Sequence, residues 1–66
     1  MKIEMSLAAR ENVEETGVSP ERDVERMRSG DVTFRELLSE CYDGASPDRI
    51  RGWREYVEAI AAHASR

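Results

Sequence analysis

Three helix-start signals, each placed behind a break in the chain, constrain the fold more than any other feature of the sequence. Ser19-Pro20-Glu21 and Ser46-Pro47-Asp48 put a hydroxyl at an N-cap and a proline in the first turn, where its missing amide donor is not needed. Thr33-Phe34-Arg35-Glu36 is a capping box, with Val32 and Leu37 at the two positions of a hydrophobic staple. Gly17, Gly30 and Gly44 stand where the last turn of a preceding helix closes in a left-handed conformation. Signals this closely spaced allow only short helices. The expected class is all-α, a small bundle of three to four short helices forming a single helical domain over residues 1–66.

The apolar residues say how those helices pack. A first helix over 6–16 starts at Ser6 and turns Met5, Ala9 and Val13 along one narrow stripe. Residues 2–7 also alternate, with Ile3, Met5 and Leu7 on one side, which is the period of a short strand. A strand there needs a second copy as its partner, as in ribbon-helix-helix dimers, where Glu4 on the outward face would repel phosphate. Helix, strand and disorder all stay open for this segment. The second helix carries only Val24 and Met27 as apolar residues among Arg22, Asp23, Glu25, Arg26 and Arg28, and is expected on the surface with one small contact face. In the third, Phe34, Leu37, Leu38 and Cys41 share one face and are expected in the core. The fourth and longest places Ile50, Trp53, Val57, Ile60, Ala61 and Ala64 on one stripe, making it the central packing element. Gly52 inside it costs about 1 kcal/mol relative to alanine, so another backbone or a partner is expected to approach there.

At 66 residues the chain buries only a thin core, so a second copy or a bound partner adds usefully to stability, and homodimerisation is open. Fourteen acidic residues against ten basic ones give a formal net charge of -4, which disfavours indiscriminate attraction to nucleic acid or anionic lipid. A basic or nucleic-acid-binding protein is the better partner. The single cysteine, Cys41, excludes an internal disulfide and a cysteine-based zinc site, and it points to a reducing cytoplasm. No apolar run approaches a signal peptide or a membrane span.

The inventory for chemistry is thin, and it implies neither enzyme, metal nor cofactor. His63 falls in the last helical turn, with no partner at ligand spacing, and reads as a surface residue. Cys41 reads as core packing, near a helix C-terminus, where a thiolate is not favoured. What remains is surface charge. Glu11, Glu14 and Glu15, followed across the Gly17 turn by Glu21 and Asp23, form an acidic face suited to a basic groove on a protein partner. Arg49, Arg51 and Arg54 crowd the first half of the fourth helix, where the helix dipole disfavours cations. Arg54 has Glu58 four residues on as an ordinary partner, which leaves Arg49 and Arg51 for phosphate or acidic side chains.

Thr33-Phe34-Arg35-Glu36-Leu37-Leu38, then Gly44-Ala45-Ser46-Pro47, then Ile50 and Trp53 resemble the helix-turn-helix pattern of bacterial and phage regulators. The resemblance implies direct DNA binding, with Pro47, Asp48, Arg49, Arg51 and Gly52 facing the groove and Ile50 and Trp53 packing inward. The connection through Tyr42 and Asp43 is longer than that family's turn, and Leu38 stands where a small residue permits close helix crossing. At the level of class alone, a short, acidic, helical chain also resembles antitoxins and phage-borne inhibitors of host defence, the anti-CRISPR proteins among them. That likeness implies a non-enzymatic inhibitor that covers a nucleic-acid-binding surface, and it is the leading expectation here, ahead of the DNA-binding regulator.

Overall fold

The computed structural model describes residues 2–66 and consists of four helices with no strand among the described residues. These are α1 (Leu7–Thr16), α2 (Pro20–Arg28), α3 (Phe34–Tyr42) and α4 (Pro47–Ala64). Their starts follow the capping chemistry. Ser6 accepts from the amide of Ala9, Ser19 from that of Arg22, and Thr33 from that of Glu36, while Glu36 returns the bond to the amide of Thr33 at 2.9 Å. Ser46 holds the N-cap position of α4 in an extended conformation but makes no side-chain cap bond, so this start rests on Pro47. Gly17, at φ 72°, ends α1 with its amide donating to Val13. Thr33→Ala removes one half of the reciprocal bond in α3. A loss of about 1 kcal/mol is expected, seen as a melting temperature lower by roughly 4–8 °C in a thermal scan followed by circular dichroism.

Each of the first three helices packs on α4, α1 most extensively. The core is Ala9, Val24, Val32, Leu37, Trp53, Tyr56, Val57 and Ile60, and full burial of one of the aliphatic side chains larger than alanine contributes roughly 1.5–3 kcal/mol. Trp53 and Tyr56 meet edge to face, with ring centroids 5.5 Å apart. The third helix differs from expectation. Phe34 is 42% exposed and Leu38 and Cys41 are half-buried, while Val32 before the helix and Leu37 within it take the core-facing places. Val24 of α2 is wholly buried, on the small contact face expected of that helix.

The α1–α4 contact is close because of Gly52. An added Cβ there would lie 2.8 Å from the carbonyl oxygen of Ala8 and 2.5 Å from Nδ2 of Asn12. The backbone approach expected at this glycine is therefore present, and α1 supplies it. Residues 2–6 precede α1 in an irregular segment, with Ile3 and Met5 packed on the core. No helix among the described residues is long and apolar enough to cross a membrane.

Candidate interaction surface

Burial of Ala9 and Asn12 against α4 sets the facing of α1. With those two turned inward, Glu11 faces solvent one turn before the adjacent Glu14 and Glu15. They share a shallow depression with Arg49 from the first turn of α4. Arg49 is tied to α1 by an ion pair with Glu15, and its Nη1 lies 3.5 Å from Oδ1 of Asn12. Asn12 in turn donates from Nδ2 to the carbonyl of Arg49 at 3.1 Å, so the buried amide is satisfied from α4. Glu11 and Glu14 make no ion pair among the described residues.

Glu21 is exposed in the first turn of α2, outside the lining of that depression. Asp23 does not belong to an outward acidic face. It is buried at 8% exposure, where it accepts a hydrogen bond from the Tyr56 hydroxyl and one from Arg26 at 3.1 Å. Arg26 extends the link to α3 by a fork onto Glu40, at 3.1 and 2.7 Å. One polar chain thus joins α4, α2 and α3 beneath an open cleft of about 360 Å³ lined partly by Arg22, Leu37 and Cys41. Burial and the neighbouring Asp23 carboxylate push the Tyr56 phenol well above its ordinary value. The hydrogen bond from Arg26 holds Glu40 below the usual carboxylate value. Cys41 is half-buried, and burial, then Asp23 and Glu40, push its thiol up to about 11. It stays protonated at neutral pH, with none of the character of a nucleophile.

The arginines of α4 divide differently from the helix-turn-helix expectation. Gly52 faces α1 and Arg49 lies on Glu15, so neither is presented to a groove; α1 covers that side of the helix. Arg51 is solvent-exposed and bonds Glu55 at 3.1 Å, and Arg54 lies 3.6 Å from Glu58. All three guanidinium groups have a carboxylate partner within the chain. His63 lines a small recess with Glu4, Ala59, Ala62 and Arg66, separate from the cleft that holds Cys41. No group of three His, Cys, Asp or Glu residues among the described residues is placed to hold a metal ion.

Sequence reasoning missed Asn12 and Tyr56. Asn12 falls three residues after Ala9 on the same stripe, and Tyr56 three after Trp53, so period alone could have placed both inward. Comparison with known protein families, with curated proteins and with solved structures finds no match to this chain.

Proposed function

We propose that the protein acts without catalysis, by seating the acidic face of α1 on a basic, nucleic-acid-binding surface of a protein partner and so blocking it. One observation carries this reading. Glu11 and Glu14 project from α1 without an ion pair among the described residues, whereas Arg49, Arg51 and Arg54 are each matched by a carboxylate of the same chain. The unspent charge of this surface is negative, in keeping with a formal net charge of -4. Within the proposal the work is that of an antitoxin or a phage-borne inhibitor in the cytoplasm. The binding residues are Glu11 and Glu14, Glu15 where it can leave Arg49, and Glu21 at the edge.

Immobilised wild type and a Glu11→Lys, Glu14→Lys variant, each offered nuclease-treated host lysate, test the reading. Wild type is expected to retain a basic protein that the variant binds about tenfold more weakly or not at all, with helical content unchanged by circular dichroism. Equal retention by the variant removes the acidic-face mechanism. Retention of bulk duplex DNA by wild type at about 50 mM salt replaces it with the DNA-binding reading.

A further inference from the structure

Residues 2–5 make no hydrogen bond through their backbone N–H or C=O groups among the described residues, although they lie against the bundle. Burial alternates along them. Ile3 and Met5 are turned in, while Lys2, Glu4 and Ser6 are exposed, which is the period of an extended chain. Ser6 continues it at φ -66° and ψ 164° and donates to Glu55 at 2.6 Å. Glu4 lies beside Ala59, Ala62, His63 and Arg66. The segment therefore runs antiparallel to the second half of α4, as a strap with an open edge. Two residues beyond it, Leu7 is 64% exposed, the most uncovered large apolar side chain of the bundle.

An open edge takes another strand, and the charges on this one specify which. We propose that residues 2–4 pair with the same residues of a second copy of this chain, antiparallel about Ile3, in a two-stranded ribbon. In that register Lys2 stands opposite Glu4 of the second copy, and Glu4 opposite its Lys2, on the outward face. Ile3 and Met5 keep their places on the two cores. A parallel in-register pairing sets lysine against lysine and glutamate against glutamate, and an antiparallel pairing centred on Glu4 sets two glutamates together. Only the register about Ile3 is matched in charge, and cross-strand pairs of opposite sign stabilise where like pairs destabilise. The two-fold axis closes the assembly at two chains. So short a ribbon covers less than the roughly 1,200 Å² of a standard interface, so the dimer is weak and forms at high concentration. This pairing is independent of what α1 binds.

Sedimentation equilibrium from about 20 μM to 1 mM, the range proper to a weak interface, tests the pairing. Wild type is expected to move from one chain mass toward two, with amide exchange at residues 2–4 slowing as concentration rises. Lys2→Glu and Glu4→Lys each convert both matched pairs into like-charge pairs, and each alone is expected to associate about tenfold more weakly. Mixed in equal amounts, the two variants restore dimer, because an acidic strand then meets a basic one. The double exchange Lys2→Glu, Glu4→Lys restores it in a single chain. Wild type that stays monomeric to 1 mM overturns the proposal, and so do single variants that associate as wild type does.

Discussion

Gly52→Val is expected to leave the domain unfolded at growth temperature, and even Gly52→Ala is expected to destabilise it. At an open helical position the change from glycine to alanine gains about 1 kcal/mol in helix propensity. Here the added carbon meets the Ala8 carbonyl at 2.8 Å and the buried side chain of Asn12 at 2.5 Å. The Ala8 oxygen is main chain and can yield only if α1 moves away from α4. Asn12 is held by its bond to the carbonyl of Arg49. Overpacking of this kind costs roughly 1–3 kcal/mol for one methyl group and more for a branched side chain. A domain of this size seldom holds more than about 3–5 kcal/mol in total. Thermal melts of both variants, with Ala62→Gly at the exposed face of α4 as the ordinary propensity control, measure the effect. A Gly52→Ala protein that melts at or above wild type would show that the helix contact is looser than described.

Tyr56→Phe is expected to cost roughly 1–3 kcal/mol at neutral pH, although it removes a single oxygen. The hydroxyl is the donor that α4 offers to the buried Asp23 carboxylate, and without it only Arg26 answers that charge. The same substitution changes the response to pH. Tyr56 and Cys41 both have pKa values raised by burial and by neighbouring carboxylates, the thiol to about 11. Groups with raised values stabilise fully below their unfolded pKa, here near 9 for the thiol and 10 for the phenol, and lose that contribution as pH climbs toward the folded value. Wild type should therefore weaken above about pH 9, by up to about 1.4 kcal/mol per pH unit for each proton lost. Tyr56→Phe flattens the phenol's share of that limb. At the acid end, Glu40, depressed by Arg26, stabilises above its unfolded value of 4.5, and the contribution disappears as pH falls through the lower folded value. Urea midpoints measured from pH 3 to pH 11 would follow both limbs. An alkaline limb identical in wild type and Tyr56→Phe would exclude the phenol as its source.

The starts of α2 and α3 were legible because each is a local bond between a hydroxyl and an amide three residues on, made by Ser19 and Thr33, and that of α4 because Pro47 sits in its first turn. The dominance of α4 was legible for a similar reason, since its apolar stripe is the longest in the chain. What could not be read was the partner of each polar side chain. Asp23 looks like any surface carboxylate until Tyr56, 33 residues away, is placed over it. Arg49 looks free until α1 brings Glu15 to it across 34 residues. Phe34 was misplaced because period puts it on the face of Leu37, whereas the core place at the start of α3 is taken by Val32 before the helix. Glu11 and Glu14 lie where the stripe of Ala9 and Val13 implied, and Asp23 leaves it because its own helix turns that side inward.

The dependence of α1, α2 and α3 on one later helix bears on how the chain acquires its shape. The tightest seam joins segments far apart in the polypeptide, with Asn12 bonded to Arg49 across 37 positions. Residues emerging from a ribosome before position 47 lack the surface on which α1, α2 and α3 chiefly settle, so they are expected to stay loose and open to digestion. Packing of the bundle is then expected only after α4 has been made, and more slowly than in bundles of neighbouring hairpins. Any delay in producing those last turns lengthens the interval in which a protease can remove the product.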